Sequence, residues 1–285
     1  MADTKLHKLL QNDLTESVAT ALAEDVGSGD LTAELIPAGQ QARAIVVSRQ
    51  ACILCGQPWF DDVFRQLDTK VACDWRNAEG EQVAPDAVIC ELQGPARALL
   101  TGERSALNFL QLLSATATAA RTYVDAVAGA GTTILDTRKT LPGLRHAQKY
   151  AVRCGGAQNH RIGLYDAVLI KENHIAAAGS IQAAVTAASI QAPNVLIEVE
   201  VETLEQMRQA LPSGAQRLLL DNFSIKDLAE AVTLRHEQAT DVTLEASGGI
   251  TLDNVRAAAE TGVDYISIGA LTKDVIAVDF SMQFK

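Results

Sequence analysis

Residues 166–174 read DAVLIKENH and residues 195–202 read VLIEVEVE, so each apolar run passes directly into charged residues. Strands buried on both faces are continuously apolar, and polar residues at one end of every strand are typical of the catalytic edge of a β/α barrel. Helical patterns separate these runs, as in βα units. Six such runs span residues 132–136, 167–170, 195–201, 217–220, 242–246 and 265–268. The pattern predicts an α/β fold whose second half is an open β/α barrel.

The first half has a different rhythm. Its strand-like runs are short, and a helical spacing at residues 59–67 interrupts them, which predicts an N-terminal α+β domain. These runs cover residues 42–48, 51–56, 70–75 and 87–92. A long helical stretch from Pro95 to about Ala128, with Gly102 as its expected break, joins the halves. We therefore predict an α+β domain at 1–112, a barrel at 113–273, and a tail at 274–285 that returns to the first domain as a strand.

Composition narrows the possible partners. The 285 residues include 24 Lys and Arg against 35 Asp and Glu, a net charge of −11, and 48% are hydrophobic. This excludes a disordered or collagen-like chain and argues against nucleic acid or an anionic membrane as the partner. Five cysteines, an odd number, and an N-terminus without an apolar signal core predict a cytoplasmic protein.

Positive charge nevertheless gathers in one window, residues 136–174, which holds seven Lys and Arg against three Asp and Glu. A solvated helix face explains Arg145, Lys149 and Arg153. It does not explain the cations that follow strands or a glycine pair, namely Arg138, Lys139, Arg161 and Lys171. Guanidinium and ammonium groups recognise carboxylates and phosphates, so the window predicts a small polyanionic substrate.

Carboxylates and glycines supply two further signals at the strand ends. Glu198, Glu200 and Glu202 alternate along one strand, and Asp221 ends the next. Glu200 and Asp221 form a hard oxygen pair that suits Mg²⁺ shared with substrate phosphates, whereas internal salt bridges explain Glu198 and Glu202 equally well. Glycine-containing segments after the last two strands predict a phosphate site. They comprise Ser247, Gly248 and Gly249, and Ser267, Ile268, Gly269 and Ala270.

Taken together in chain order, these motifs resemble the quinolinate phosphoribosyltransferases, a family of type II phosphoribosyltransferases. The resemblance covers essentially the whole chain, from the Gly29–Thr32 loop to Ser267–Ala270. The other motifs that carry it are Thr101–Asn108, Asp136–Gly143, Asn159–Arg161, Leu169–His174, Glu198–Glu202, Leu220–Asn222 and Ser247–Gly249. Ala157 departs from the family, which often has a third glycine at that position.

The resemblance implies quinolinate and 5-phosphoribosyl-1-diphosphate as substrates, Mg²⁺ as cofactor, and nicotinate mononucleotide, diphosphate and CO₂ as products. It also implies a homodimer in which Arg104 reaches the neighbouring subunit's barrel. The implied quinolinate clamp is Arg104, Arg138, His160, Arg161 and Lys171. Lys139, Lys171 and His174 would neutralise the diphosphate, Thr137 joins the substrate-binding set, and the implied catalytic residues are Lys139, Lys171, Glu200 and Asp221.

Four alternatives stay open at this point. A nicotinate-type phosphoribosyltransferase or a molybdenum-uptake-associated homologue would share the fold. A Schiff-base aldolase barrel would use Lys171 as its nucleophile. A phosphate-ligand binding protein without enzymatic activity would need the barrel end but no diphosphate site.

Overall fold

The computed structural model describes residues 2–238 and 241–285, with side chains from residue 13 onward. Within this part of the chain, no helix combines the length and apolar character that crossing a membrane requires. The elements of the first half are α1 (Ala2–Val26), a 3₁₀ turn (Ala33–Leu35), β1 (Gln41–Ser48), β2 (Cys52–Ile53), α2 (Gln57–Leu67), β3 (Ala72–Trp75), β4 (Gln82–Val83), β5 (Val88–Pro95) and α3 (Ala96–Ala126).

The second half alternates strands and helices. Its elements are β6 (Thr133–Leu135), α4 (Arg145–Cys154), β7 (Ala167–Ile170), α5 (Glu172–Ala178), α6 (Ile181–Gln191), β8 (Leu196–Val201), α7 (Leu204–Ala210), a 3₁₀ turn (Leu211–Ser213), β9 (Arg217–Asp221), α8 (Ile225–Gln238), β10 (Thr243–Ser247), α9 (Val255–Glu260), β11 (Tyr265–Ser267), α10 (Ala270–Lys273) and β12 (Phe280–Phe284). All six predicted barrel strands are present.

The chain forms two compact units. The first contains residues 1–121, 140–156 and 271–285, and the second contains residues 122–139 and 157–270. Residues 140–156, which carry α4, thus group with the first unit, although they follow the first strand of the barrel. The domain boundary predicted between residues 112 and 113 remains a prediction. Residue 1, which the predicted first domain includes, lies outside the described residues.

The first unit is built on an antiparallel sheet in the order β12-β1-β5-β3. β12 pairs with β1 along five residue pairs, from Ala44 with Phe284 to Ser48 with Phe280. The C-terminal tail therefore returns to the first unit as a strand, as the sequence predicts. The apolar side of this sheet packs with α2 and the first part of α3 around buried aromatic residues such as Trp59 and Phe60.

Two expectations about helices of the first unit are wrong. α3 runs unbroken through Gly102, because glycine there serves packing: a Cβ atom would lie 2.6 Å from Phe64 Cε1. Lys149, expected on a solvated face, has a fully buried side chain on α4. Gln148 and Val152, one residue before it and three residues after it on the same helix, are also buried, so this side of α4 packs against protein and does not face solvent.

The second unit is a six-stranded sheet in the order β6-β11-β10-β9-β8-β7, and every pair of neighbours is parallel. Successive strands of the chain are neighbours, with the sole jump between β6 and β7, which is the order of a barrel opened between its first two strands. In the described residues no ladder joins β6 to β7, and a single bridge links Leu135 to Gln158 instead. The fold is the predicted open β/α barrel.

The first unit contains a partly buried carboxyl group with a shifted pKa. Glu79 accepts hydrogen bonds from the backbone N–H groups of Gly56 and Gln57, each at 2.8 Å, at the start of α2. Its carboxylate and the thiols of Cys55 and Cys154 lie within 4.8 Å of one another. Burial raises the pKa of Glu79 to about 7, against the lowering effect of the backbone hydrogen bonds. The folded state therefore favours the protonated carboxyl.

This raised pKa makes the stability of the first unit depend on pH. As pH rises from about 4.5 to about 7, Glu79 ionises first in the unfolded chain, so folding stability falls across that window. Glu79→Gln has no carboxyl group to ionise at this position. We therefore expect the free energy of unfolding of the variant, minus that of wild type, to increase by about 2 kcal/mol from pH 5 to pH 8. Tryptophan fluorescence during urea unfolding reports on this unit, because both tryptophans, Trp59 and Trp75, lie in it.

The matched control is Glu34→Gln, which neutralises an exposed glutamate of the same unit. A difference between Glu79→Gln and wild type that stays constant from pH 5 to pH 8 would contradict the prediction.

Candidate active site

The carboxyl ends of the six parallel strands meet at one edge of the second unit, and the predicted polar segments lie there because parallel strands end on the same side. Thr137, Arg138 and Lys139 follow β6, Lys171 follows β7, and Glu200 lies near the end of β8. The remaining strands contribute Asp221, Ser247 and Ser267 as their last residues.

Arg138 and Arg161 are the two half-buried guanidinium groups of this edge. Burial, and next the positive charge of Arg138, lower the pKa of Arg161, so the two guanidinium groups repel each other. Glu198, Asp166 and Glu200 oppose this effect. A bound dianion would relieve the repulsion, which is the property expected of an anion site.

The loop that carries Arg161 is held by carboxylates. Asp136, fully buried, accepts hydrogen bonds from Asn159 Nδ2 at 2.7 Å and from the backbone N–H of His160 at 2.8 Å. Asp166 accepts the backbone N–H groups of Ile162 and Gly163, at 2.7 Å and 2.9 Å. These bonds fix the backbone on both sides of Arg161, so the position of its side chain does not depend on the substrate alone.

Lys171 forms a salt bridge with Glu200, with Nζ 2.5 Å from Oε2. Its backbone N–H donates to Nδ1 of His174 at 3.0 Å, at the beginning of α5. This bond requires Nδ1 of His174 to be an acceptor, so in the neutral ring the proton is on Nε2. Both side chains thereby stand on a single short turn after β7.

Lys139 lies over the glycine that follows β11. A Cβ atom on Gly269 would be 3.0 Å from Cδ of Lys139 and 3.6 Å from Oγ1 of Thr137, so a larger residue would press on the lysine. Thr137 Oγ1 also accepts the backbone N–H of Lys139 at 3.1 Å. Ile268 joins this arrangement through its backbone N–H, which donates to the carbonyl of Leu135 at 2.9 Å. Ala270 follows as the first residue of α10.

Left-handed backbone shapes the turns after β9 and β10. Gly248 has φ +89°, and a Cβ atom there would lie 2.2 Å from Oδ1 of Asn222, so only glycine fits. Asn222, itself at φ +57°, donates from Nδ2 to Asp221 Oδ2 at 2.7 Å. A Cβ atom on Gly249 would meet nothing within 4 Å. The backbone at these turns is therefore accessible to a ligand.

Beneath this edge lies a buried polar network that the sequence analysis did not assign. His160 Nε2 lies 2.9 Å from Glu198 Oε2 and 3.5 Å from Glu245 Oε1. Arg217 donates from Nη1 to Glu245 Oε2 at 3.1 Å and stacks on the ring of Tyr265 at 3.9 Å. Burial raises the pKa of Glu198, and burial followed by the charge of Glu198 raises the pKa of Glu245 to about 7.

The predicted residues of the second unit are thus brought to one edge. Glu202 follows β8 and is exposed. Arg104 is an exposed residue of α3 in the first unit, beside a cavity of about 330 Å³. Asp30 lines the same cavity and accepts hydrogen bonds from Thr101 Oγ1 at 2.9 Å and Ala33 N–H at 2.9 Å, which attach the Gly29–Thr32 loop to α3.

Sequence reasoning missed Asp136 and Glu245 as functional candidates. In the sequence, Asp136 enters only the charge count of residues 136–174 and the Asp136–Gly143 motif, without a role of its own. Glu245 had a usable signal, because it is the single charged residue of its strand, β10. A charge in that context has to be paired, and the pairing pattern would have pointed to the barrel interior.

Known proteins resemble this chain over nearly its full length. Residues 116–283 match the family described as quinolinate phosphoribosyl transferase, C-terminal domain, and residues 30–114 match the corresponding N-terminal domain. A solved structure of the nicotinate-nucleotide pyrophosphorylase from Francisella tularensis is 45% identical in sequence, with a TM-score of 0.91 and 96% of each chain covered.

Characterised relatives agree. The chain is 44% identical over 263 residues to the probable nicotinate-nucleotide pyrophosphorylase (carboxylating) of Bacillus subtilis, covering 91% of this chain and 89% of that one. It is 42% identical over 254 residues to the human nicotinate-nucleotide pyrophosphorylase (carboxylating), covering 88% and 85% of the two chains.

Proposed function

Because the chain belongs to the quinolinate phosphoribosyltransferase family, we propose that the cations at its barrel edge bind quinolinate beside 5-phosphoribosyl-1-diphosphate. The reaction is that of a carboxylating nicotinate-nucleotide pyrophosphorylase in NAD biosynthesis, a pentosyl transfer. Phosphoribosyl passes to the ring nitrogen of quinolinate, and nicotinate mononucleotide, diphosphate and CO₂ are released. The observation that carries the proposal is the convergence of cations at the carboxyl ends of parallel strands, where Arg138 and Lys139 follow β6 and Lys171 follows β7.

The two carboxylates of quinolinate would be bound by Arg138, Arg161, His160 and Lys171. A guanidinium binds a carboxylate through two parallel hydrogen bonds, which sets the plane of the pyridine ring as well as its position. Once the ring is fixed, its nitrogen can be held against the anomeric carbon of the sugar, and this lowers the entropic part of the barrier.

The second substrate would occupy the glycine-containing side of the edge. Lys139 and Lys171 would neutralise the diphosphate, and His174 would donate a hydrogen bond to it from Nε2, while Thr137 fixes the backbone of Lys139. The segments Ser247–Gly249 and Ser267–Ala270 would hold the 5-phosphate. Support comes from the backbone at Gly248 and Gly269, where any side chain would collide with Asn222 or Lys139.

The donor set fits Mg²⁺. Glu200 and Asp221 lie at the ends of neighbouring parallel strands, and the contacts of the described residues use one oxygen of each, toward Lys171 and Asn222. Two carboxylates together with substrate phosphates are a usual environment for this ion. We propose these two residues as its ligands. When bound, Mg²⁺ neutralises charge on the departing diphosphate.

The chain's residues would then act by charge alone. Glu200 and Asp221 would stabilise the positive charge that develops on the ribose as the diphosphate leaves. Alkylation makes the pyridine ring an electron sink, so the adjacent carboxylate can leave as CO₂ without a dedicated base. Lys171 is paired with the Glu200 carboxylate, which holds it as an ammonium group and does not suit a Schiff-base nucleophile.

Two further parts of the proposal concern assembly and location. Arg104 is exposed on the first unit and would complete the quinolinate clamp of the neighbouring subunit in a homodimer. The five cysteines are free thiols, which supports a reducing cytoplasmic location. The net charge of −11 argues against nucleic acid as a partner.

Nucleotide formation tests the function. Purified protein with quinolinate, 5-phosphoribosyl-1-diphosphate and Mg²⁺ should release CO₂ and nicotinate mononucleotide in equal amounts. Chromatography measures the nucleotide, and capture of ¹⁴CO₂ from labelled quinolinate measures the CO₂. Chelation of the metal should stop both products. Nicotinate in place of quinolinate is the control, because it lacks the second carboxylate. Equal rates with the two acids would contradict the proposal.

The clamp is tested by Arg138→Ala and Arg161→Ala. Each change removes a charge-assisted contact worth about 1.5–3 kcal/mol, so the KM for quinolinate should rise by about tenfold to a hundredfold or turnover should be lost. Arg256→Ala, which removes an exposed arginine on α9, is the control. Near-wild-type kinetics in both clamp variants would refute the clamp.

Subunit mixing tests the role of Arg104. Arg104→Ala and Lys171→Ala chains should each be inactive alone. In a mixed dimer one barrel would keep its own Lys171 and receive an intact Arg104, so roughly half of the mixed dimer's sites should recover activity. Native mass spectrometry would establish that mixed dimers form. Mixed dimers without activity would mean that Arg104 does not act across the interface.

A further inference from the structure

The first unit contains a cluster of two thiols and a carboxyl group that the proposed reaction does not use. The ligand atoms of Cys55, Glu79 and Cys154 all lie within 4.8 Å of one another. Cys55 lies just before α2, Glu79 lies between β3 and β4, and Cys154 is the last residue of α4, so three separate segments of the unit meet here. Sulfur together with a carboxylate oxygen is a ligand set that suits Zn²⁺.

Backbone hydrogen bonds orient the carboxyl group of this cluster. Glu79 Oε1 accepts the N–H groups of Gly56 and Gln57, each at 2.8 Å, at the start of α2. Oε2 makes a longer contact of 3.2 Å with the N–H of Gly56, and the carboxyl group also hydrogen-bonds to the thiol of Cys55. Carboxylates that bind metal ions are usually held by further hydrogen bonds of this kind. The support for a ligand at Glu79 is therefore already in place.

Both cysteines are also fixed by contacts of their backbone. The N–H of Cys55 donates to Ser114 Oγ at 2.9 Å, and the Ser114 hydroxyl donates to the Cys55 carbonyl at 3.0 Å. Gly80 approaches the end of α4 so closely that a Cβ atom there would lie 3.1 Å from the carbonyl oxygen of Cys154. Its φ of +79° also favours glycine. The turn that carries Glu79 is thus brought against Cys154.

The spacing of the cluster is close to that of a zinc site. Zn–S bonds are about 2.3 Å long, and tetrahedral geometry then places two ligand sulfur atoms about 3.8 Å apart. Ligand atoms within 4.8 Å of one another need to move by about 1 Å or less to reach that spacing. Water or the hydroxyl of Tyr150, which hydrogen-bonds to the thiol of Cys154, would supply the fourth ligand.

The ligand groups carry protons when no metal is bound. Burial, followed by the hydrogen bond to Cys154 and the charge of Glu79, raises the pKa of the Cys55 thiol. Burial also raises the pKa of Glu79 to about 7. These groups can therefore stay inside the protein without a counter-charge, and a metal ion would replace their protons when it binds. The pH dependence predicted above for Glu79 is accordingly that of the metal-free protein.

The absence of sulfur and a fixed positive charge set a second cluster apart. His160, Glu198 and Glu245 of the second unit also have ligand atoms within 4.8 Å of one another. There Arg217 donates to Glu245 Oε2 at 3.1 Å and stacks on the ring of Tyr265, so a guanidinium group held in place would repel an ion. Of these two clusters, the one in the first unit therefore suits a metal ion better.

We propose that Cys55, Glu79 and Cys154 bind a thiophilic divalent cation, Zn²⁺, as a structural ion of the first unit. The ion would connect the start of α2, the turn between β3 and β4, and the C-terminal end of α4. Because it would bind the folded chain more tightly than the unfolded chain, it would stabilise the first unit. The inference is independent of the proposed reaction, since none of the three residues belongs to the barrel edge.

A titration with Cd²⁺ tests the site, because Cd²⁺ bound to thiolates absorbs in the ultraviolet. The full chain, freed of metal by a chelator and kept reduced with a phosphine, should bind one Cd²⁺ per chain with a thiolate-to-metal absorption band, and Zn²⁺ should displace it. Cys154→Ser and Glu79→Gln should each weaken Zn²⁺ binding by more than about a hundredfold, because loss of a contact outside the ligand shell already costs about tenfold to a hundredfold.

Cys73→Ser is the matched control. Cys73 is, like Cys154, a half-buried cysteine of the first unit, and its thiol hydrogen-bonds to that of Cys90. This variant should keep the affinity of wild type for Zn²⁺. In urea unfolding followed by tryptophan fluorescence, Zn²⁺ should raise the free energy of unfolding of wild type and Cys73→Ser but not that of Cys154→Ser.

Three results would overturn the inference. The first is the lack of a thiolate-to-metal band in the reduced wild-type protein. The second is a Zn²⁺ affinity that either Cys154→Ser or Glu79→Gln leaves unchanged, and the third is one that Cys73→Ser abolishes, since the ion would then bind elsewhere. If Cys154→Ser does not fold, Glu79→Gln decides, because glutamine keeps the shape of the side chain and an oxygen that can accept the N–H groups of α2.

Discussion

Placement of cations at the carboxyl ends of parallel strands is the constraint on which the site of the second unit depends, with Arg138 and Lys139 after β6 and Lys171 after β7. Like charges gathered in a half-buried place raise the free energy of the folded chain unless carboxylates oppose them. Glu198, Glu200 and Asp166 provide that opposition from separate parts of the chain. The site is therefore preorganised for an anion, because its cations are held in place by the carboxylates before a substrate binds.

The same acids also fix geometry. Asp166 and Asp136 hold the backbone on either side of Arg161 through hydrogen bonds, and Glu200 holds Lys171. Asp166 and Glu200 thus serve twice, as counter-charges to Arg161 and as anchors. A chain with a net charge of −11 can maintain a cationic site in this way because the surplus acids are placed directly beneath and beside the cations.

Backbone conformation limits which residues can surround the ligands. Gly248 has to be glycine because Asn222 occupies the space that a side chain would need, and Gly269 lies under Lys139. Neither constraint follows from the turn alone, since a glycine after a strand is common in proteins of many functions. The contacts of the neighbouring strand decide it. Gly102 shows the same dependence on distant contacts. Its local sequence predicts a helix break, but in the structure the missing side chain makes room for the ring of Phe64.

The sequence by itself determined the α/β class, the barrel strands, the returning tail and the edge at which Lys171, Glu200 and Asp221 lie, because the alternation of apolar runs and polar ends is a local property with a fixed consequence in a parallel sheet. Only the tertiary structure decided that α3 is continuous, that Lys149 is buried and that Glu245 faces His160. These depend on which side chains meet across strands and helices far apart in the chain. A local sequence pattern does not indicate which distant residues come into contact, so only the packing of the folded chain shows these contacts.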